Sequence, residues 1–461
     1  MVGHDESAVA DGLEPPGEGR PVQAGRWHPG LDAEAESALA HRHSIAELSW
    51  LNADGRKLLA ARALRTFAYG YLSVILGLYL DQLGLDATHI GIVLAAAIGG
   101  SALMTVFWSL LADRYGRRRT VATMAILMAV GGLVFGLADS FPVLLVAAFT
   151  GTISTTSSEI GVFQTVDQAM LPQTAPDDRR TWLFSIYNTV ATFAGALGAL
   201  FAASAGIFAG LGLSGADAYR PLFLLYAAIG IANLVIFLRL SDGIELARVH
   251  GERRFIGIHR SGGTVAKLSA LFGLDAFAGA LVVQSIVAYW FYLRWGLSPA
   301  QLAVVFFAVN VLSSLSLLAA GWLSARIGLL NTMVFTHLPS NVLLILVPLA
   351  PTAPLAVALF LLRMSISQMD VPTRQSYTMA VVDPDERTAT AGITNVARSA
   401  ASTISPLITG LAFASGALGL PFIVAGGLKV AYDGLVFLTF RNVRPAEEIA
   451  RRDVSQRRVE R

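Results

Sequence analysis

Apolar residues in this chain gather in long blocks separated by short polar interruptions. Twelve blocks stand out, at residues 64–83, 90–112, 120–138, 142–166, 181–205, 221–240, 266–293, 300–324, 332–350, 354–381, 388–414 and 420–440. A helix rises ~1.5 Å per residue, so about 20 apolar residues cross a hydrocarbon core of about 30 Å. The pattern predicts an all-α membrane protein with twelve transmembrane helices. An even number of crossings puts both termini on one side.

The polar interruptions say which side that is. Between the second and third blocks runs Ser109-Leu110-Leu111-Ala112-Asp113-Arg114-Tyr115-Gly116-Arg117-Arg118-Arg119. Only a few residues are left to reverse the chain, and Gly116 supplies the backbone freedom a tight turn needs. Four arginines crowd the same turn, and short loops rich in Lys and Arg mark the cytoplasmic side. Alternation from this hairpin assigns Arg179, Arg180, Arg248, Arg253, Arg254, Arg260, Lys267, Arg326, Arg387 and the basic tail after Arg441 to that side. The opposite connections hold almost no cations beyond Arg220 and Arg294. The expectation is a multi-pass protein of the cell (inner) membrane, with both termini cytoplasmic.

Composition agrees. Charged residues make up 14% of the 461 positions and apolar ones 54%, with a mean hydropathy of +0.59. Soluble domains carry about 25% charged residues. The absence of cysteine excludes disulfides, thiolate metal sites and cysteine nucleophiles. Residues 1–56 hold Pro15-Pro16, several glycines and mixed charges without a long apolar run, which predicts a disordered cytoplasmic tail. His28, His41 and His43 lie there at loose spacing with no acidic or thiol partners, so no metal site is expected. No phosphate loop or catalytic triad occurs in the sequence, and neither an enzyme, a cofactor nor a nucleic-acid partner is expected.

The chain also repeats itself. A shift of 207 positions lays Asp178, Arg180, Thr181, Ile186, Asn188, Ala194 and Leu200 on identical residues Asp385, Arg387, Thr388, Ile393, Asn395, Ala401 and Leu407. A shift of 212 lays Leu111, Arg114, Gly116 and Thr120 on Leu323, Arg326, Gly328 and Thr332. Six blocks separate the copies, so direction is preserved. The fold class expected is two parallel six-helix repeats related by an axis along the membrane normal. The domains follow: six-helix bundles at 57–241 and 265–441, a cytoplasmic linker at 242–264 and a basic cytoplasmic tail at 442–461.

At these motifs the chain resembles the major facilitator superfamily of secondary transporters. Its second-to-third loop in the family reads Gly-x-Leu-Ala-Asp-Arg-x-Gly-Arg-Arg, against Ser109 to Arg118 here. The turns Pro176-Asp177-Asp178-Arg179 and Pro384-Asp385-Glu386-Arg387 are similar to the family's loops before its fifth and eleventh helices, and Ser405-Pro406 to Gly410 is similar to a motif of drug–proton antiporters. What the resemblance implies is alternating access, with Asp113, Arg114, Gly116 and Arg117 as a cytoplasmic gate that locks when that side is closed.

Function must then come from polar groups inside the bilayer, because each charge at a helix centre costs ~3 kcal/mol. In the tenth block Arg363, Asp370 and Arg374 fall on one helical face. Arg398 shares a face with Thr394 and Ser405 in the eleventh. Asp275 stands about two turns inside the seventh, and Glu159 and Asp167 lie in the fourth. A carboxylate beside an arginine can exchange a proton when a solute arrives, and Asp275, then Glu159 and Asp370, are the proton-coupling candidates. Arg363, Arg398, Arg374, Tyr187, Asn188, Asn395 and Thr394 are the substrate-path candidates. For Asp370 and Arg374 a fixed pair within one helix is the other reading. Lys429 and Asp433, four residues apart in the twelfth block, are expected to neutralise each other, and His337 to pack. The function expected is proton-coupled efflux of a small organic or drug-like solute by a monomer that meets only solute, protons and lipid, with proton-coupled uptake of an organic anion as the alternative. A polytopic membrane enzyme or sensor would need a catalytic cluster or folded soluble domain.

Overall fold

In the computed structural model the described residues are 50–158, 161–176, 179–245, 259–383 and 386–442. No strand occurs among them. Twelve membrane segments follow in order: α1 Ala53–Gln82, α2 Ala87–Tyr115, α3 Arg117–Leu137, α4 in two pieces (Phe141–Phe149 and Val162–Met170), α5 Arg180–Phe201 continued by Ser204–Gly210, and α6 Arg220–Leu238. The second half repeats them as α7 (Gly262–Ala280 and Gln284–Trp295), α8 Pro299–Ile327, α9 Leu329–Leu346, α10 (Ala353–Ser367 and Asp370–Ala380), α11 (Arg387–Thr403 and Ser405–Ala414) and α12 Leu420–Phe440.

Ten of the twelve are long and apolar enough to cross a membrane by length and composition. The other two are α4 and α11. Between the two pieces of α4 the described residues 150–158 form a polar Thr/Ser stretch, with Gly151 at φ 71° and, before the second piece, Gly161 at φ 125°. In α11 the first piece is rich in Thr, Ser and Ala and carries Arg387 and Arg398, so its helix faces polar surroundings as well as lipid.

Local sequence explains the helix boundaries. Asn52 accepts a hydrogen bond from the Gly55 N–H at 2.8 Å, Asp86 one from the His89 N–H at 2.9 Å, and Ser298 forms a reciprocal cap with Gln301. Each satisfies donors that a helix N-terminus leaves open. The first cap starts α1 at Ala53, so residues 53–56, expected in the tail, form its first turn. Gly116 at φ 104° and Gly328 at φ 89° each end one helix and begin the next. The strong hairpin and its decayed copy therefore make the same turn.

Packing shows the repeat directly. In the first half α1 lies against α5 and α6, and α3 against α6; in the second α7 lies against α11 and α12, and α9 against α12. The halves meet through the equivalent pairs α2 with α11 and α5 with α8. At α2–α11 the backbones almost touch, since a Cβ on Gly91 would stand 2.6 Å from the Pro406 carbonyl oxygen and 3.0 Å from Gly410 Cα. Large apolar side chains such as Leu103, Val146, Phe193, Leu318 and Phe335 are exposed around the outside, as in a protein whose solvent there is lipid.

Hydrogen bonds between the halves gather at mid-span and at the face opposite the arginine turn. The Tyr289 hydroxyl donates to Asp81 (2.9 Å), Gln82 to the Tyr292 hydroxyl (3.0 Å), Gln284 to the Ser73 hydroxyl (2.9 Å) and the Ser285 hydroxyl to the Thr155 carbonyl (3.0 Å). This is the closed side. On the arginine-turn side, the basic face below, two glutamates cap the starts of helices. Glu245 accepts from the backbone N–H groups of Arg117 (2.8 Å) and Arg118 (3.0 Å), an anion set on the positive end of α3. Glu386 accepts from the backbone N–H groups of His259, Arg260 (2.7 Å) and Ser261 (2.9 Å), where α7 begins. Of the segments named from the sequence, the tail up to residue 49, linker residues 246–258 and everything after 442 lie outside the described residues.

Candidate functional site

Broken helices place backbone and side chains around a central space. The gaps in α4 (150–158 among the described residues), α7 (281–283) and α10 (368–369) interrupt apolar segments at depth, and such irregular backbone is tolerated where it lines a cavity. Between the halves lies a cavity of about 710 Å³. Among the described residues its first-half wall is made of neutral groups, including Tyr69, Thr105, Thr155, Gln164 and Gln168. Its second-half wall is charged. Arg363, Arg374, Arg398 and Lys429 line it, against Asp275 and Asp370.

Asp275 is the centre of that charge. It is buried on α7 and receives Arg374 from α10 at 2.9 Å and Arg398 from α11 at 3.2 Å, both on Oδ2. Lys429 from α12 donates to the other oxygen, Oδ1. Three helices thus converge on one carboxylate. Arg374 also holds Asp370 one turn earlier on its own helix at 2.9 Å. The expected pair within α10 exists, and the same guanidinium group bridges it to Asp275.

Behind Lys429 lies a second layer. His337 Nδ1 on α9 is 2.8 Å from Asp433 on α12, whose other oxygen accepts from Asn341 at 2.9 Å. His337 Nε2 points the other way, 4.0 Å from Asp275 Oδ1. The expected neutralisation of Asp433 by Lys429 is not what the fold builds. The Lys429 side chain runs past Gly279 of α7 to Asp275, while Asp433 is satisfied by His337 and Asn341. His337 is likewise part of this network and lines the cavity.

The first half holds a matching buried pair. Arg65 on α1 donates to Asp167 on α4, and to Asn233 on α6 at 3.2 Å. The Tyr187 hydroxyl donates to the same Asp167 oxygen at 3.2 Å, and Arg62 lies over the Tyr187 ring at 4.3 Å. The sequence analysis names neither Arg62 nor Arg65: the first apolar block begins at residue 64, which leaves Arg62 outside it and Arg65 at its first turn. Two arginines on a helix that a cap extends upstream were the available signal.

The remaining candidates are placed as follows. Arg363 faces the cavity; among the described residues its Nη1 meets Met364 Sδ at 3.0 Å and its Nε has no partner. Asn395 lines the cavity wall. Tyr187 is buried in the first-half pair, Thr394 turns its hydroxyl back to the Thr390 carbonyl at 2.8 Å, and Asn188 is exposed, so these three stand outside the cavity wall. Helical rotation explains Thr394: its neighbour Asn395 takes the inward position. At the basic face Arg114 is exposed and Arg117 is buried, its guanidinium donating to the Ala169 carbonyl at 2.7 Å within its own half. Glu159 and the side chain of Asp113 lie outside the described residues. No group of three or more metal-ligating side chains occurs among the described residues.

Comparison with known proteins places this geometry. The family model described as Major Facilitator Superfamily matches residues 58–406. An uncharacterized membrane protein of Saccharomyces cerevisiae, YJR124C, is 26% identical over 426 residues, covering 85% of this chain and 94% of its own. Multidrug resistance protein MdtG of Dickeya zeae is 31% identical over 196 residues, 40% of this chain and 43% of its own. Among solved structures, a mutant form of the nucleoside transporter NupG superposes with a TM-score of 0.70 at 12% identity, covering 84% of this chain and all of that one. With a family match over most of its length and the fold to go with it, this chain belongs to the major facilitator superfamily and is a membrane-embedded, multi-pass secondary transporter of small molecules.

Proposed function

We propose that the transporter moves a small organic anion together with a proton, by rocking its two six-helix halves about the central cavity. The observation that carries this reading is the sharing of Asp275 by Arg374, Arg398 and Lys429 in a wall where four cations face two carboxylates. An incoming anion and Asp275 compete for the same cations. A proton that reaches the network cancels one unit of negative charge and makes those cations available to the solute. Proton and anion then favour each other, and by linkage each raises the other's affinity by the same factor. Cotransport follows from that sign. A cationic solute would meet repulsion from the same wall.

In this reading residues 57–241 and 265–441 are the moving halves, joined by 242–264. The arginine bias of the loops supports a cytoplasmic basic face and cytoplasmic termini, in a cell membrane, for a protein acting as a monomer. Closure of the opposite side supports a state open toward the cytoplasm. Asp113, Arg114, Gly116 and Arg117 would form the gate in the alternate state. Asp275 and Asp370 are the carboxylates within reach of the cations, and the proton gradient drives uptake.

Export of a drug-like solute by proton antiport is the second reading, favoured by the likeness to MdtG over part of the chain. The test is transport by purified protein in liposomes. Radiolabelled gluconate, succinate, glucose 6-phosphate, glucose and tetraphenylphosphonium are supplied under an imposed pH gradient. Accumulation of one of the anions with the proton gradient supports cotransport. Accumulation of tetraphenylphosphonium against it supports antiport, and movement of no probe under either gradient counts against both.

A further inference from the structure

We infer that the coupling proton is carried by His337, and that its arrival releases Lys429 from Asp275 to receive the solute. The inference rests on the proton-coupled reading above and names the group within that network.

The first step starts from the pair at Nδ1. Asp433 faces His337 Nδ1 at 2.8 Å; an ionised Asp433 can only accept, and with it the neutral ring that completes this bond carries its hydrogen on Nδ1. The bare lone pair is then on Nε2. That atom points at Asp275 Oδ1, 4.0 Å away, in a side chain that lines the cavity. An acceptor facing an acceptor is an incomplete arrangement. A proton from solvent that bonds to Nε2 completes it, leaving an imidazolium with a carboxylate at each end.

The second step follows from which oxygen is shared. Lys429 donates to Oδ1 of Asp275, the same oxygen that Nε2 faces. Arg374 and Arg398 use Oδ2. A new cation at Nε2 therefore competes with Lys429 and leaves the two arginines where they are. Lys429 lines the cavity, so the ammonium group that loses its hold on Oδ1 has open space and a solute anion to turn to. When the solute leaves, Lys429 returns to Oδ1 and the proton passes from Nε2 to solvent. Only an N–H bond forms and breaks.

The groups facing His337 can be named by element. From α12 they are Asp433, Lys429 and Tyr432, whose ring lies edge-on to the imidazole with centroids 6.0 Å apart. From α7 it is Asp275, and from α9 itself Asn341, 3.2 Å from Nδ1. Arg374 and Asp370 of α10 and Arg398 of α11 reach the ring through Asp275. The surroundings hold a carboxylate for each ring nitrogen, and of the three cations on Asp275 Lys429 is the one that shares Oδ1 with Nε2 and is proposed to move.

The test uses the full chain with labelled histidine in lipid nanodiscs, without added solute. The resonances of His337 are identified by their loss in His337→Gln, or in His337→Asn if the first variant does not fold. The inference expects the imidazole to pass from the single-proton form on Nδ1 to the charged form on acidification between pH 8 and 5. It expects Asp433→Asn to lower the proton affinity of the ring at least tenfold. A ring that stays neutral to pH 5, or an affinity unmoved by Asp433→Asn, overturns it. In liposomes the ratio of gradient-driven accumulation to exchange, measured with whichever anion the wild type accumulates, should fall at least tenfold in His337→Gln. An unchanged ratio in that variant overturns the inference while leaving the transport reading intact. A wild type that accumulates no probe removes the transport reading, and the spectroscopic titration still decides whether His337 takes the proton.

Discussion

Asp167 and Arg374 stand at equivalent positions of α4 and α10, 207 residues apart, and carry opposite charges toward the first helix of their own half. Asp167 meets Arg65 on α1, and Arg374 meets Asp275 on α7. Arg65 and Asp275 lie 12 and 13 residues after the first residues of their helices, so the two bridges sit at similar depth. The repeat has kept the ion pair between its first and fourth helices and reversed its polarity. The reversal gives the halves different work. In the first half the acid is closed in by Arg65 and Tyr187, away from the cavity wall. In the second half the acid is the hub on which cavity-lining cations converge.

The first-half bridge should therefore be structural. Breaking a buried pair by removing one partner costs about 3–5 kcal/mol, because the other charge is left unpaired. Arg65→Ala is expected to lower the unfolding midpoint of the purified protein in detergent strongly. The double reversal Arg65→Asp with Asp167→Arg is expected to recover part of the loss. Thermal unfolding checks this, and a double reversal no better than the single variant would show that the pair does not act as a unit.

The close approach of α2 and α11 should set the balance between the two access states. Leucine at Gly91 needs space that the Pro406 carbonyl and Gly410 already fill, and only separation of the helices provides it. The closed opposite face should open in Gly91→Leu. The natural chain has no cysteine, so spin labels placed at engineered cysteines replacing Gln82 and Arg294 report the distance between α1 and α7 without background. A longer distance population is expected; an unchanged distribution would separate this contact from the access equilibrium.

Glu386 supplies a pH-dependent clamp outside the membrane segments. The backbone N–H groups of His259 and Arg260, with Ser261, hold its carboxyl down to about 2, below the usual value of 4.5. A depressed folded-state value contributes stability that is fully present above about pH 4.5 and lost as pH falls toward 2. Amide exchange at residues 259–261 should be faster in Glu386→Gln than in the natural protein at pH 7, and the two should converge near pH 2. Equal protection at pH 7 would show that the clamp does not hold the start of α7.

Arg363 is the cavity cation most available to a solute, since its guanidinium meets Met364 Sδ and no carboxylate among the described residues. Charge-assisted hydrogen bonds contribute about 1.5–3 kcal/mol. Arg363→Gln should raise the half-saturating concentration of a transported anion by about tenfold or more while leaving proton dependence in place. Initial rates in liposomes at a fixed gradient measure it, and an unchanged half-saturating concentration would remove Arg363 from the solute site.

Much of the fold was legible because lipid imposes a simple rule: apolar length becomes a span. All twelve spans, the parallel repeat and both hairpins followed from block lengths, Gly116 and Gly328. The breaks in α4 and α11 were written in residues 150–161 and in the Thr/Ser content of 387–403, but average hydrophobicity over a span hides them. In the site, Asp275, Arg363, Asp370, Arg374 and Arg398 were visible as costly charges at depth. Their partners were not. Lys429 looked paired with Asp433 because four residues separate them on one helix, yet a long flexible side chain reaches across to α7 when packing brings Gly279 beneath it. His337 alone on its helix carried no spacing signal. Its role comes from the meeting of α7, α9 and α12, which no single segment's pattern contains.

The central claim is that proton and anion bind together at the Asp275 network and cross together. The most direct measurement is proton flux alongside labelled anion entry in liposomes, with no imposed pH gradient and an anion gradient as the only driving force. The account predicts that protons enter with the anion, and that Asp275→Asn reduces the proton-to-anion ratio severalfold. Anion entry without proton movement, or with protons leaving as it enters, would contradict it.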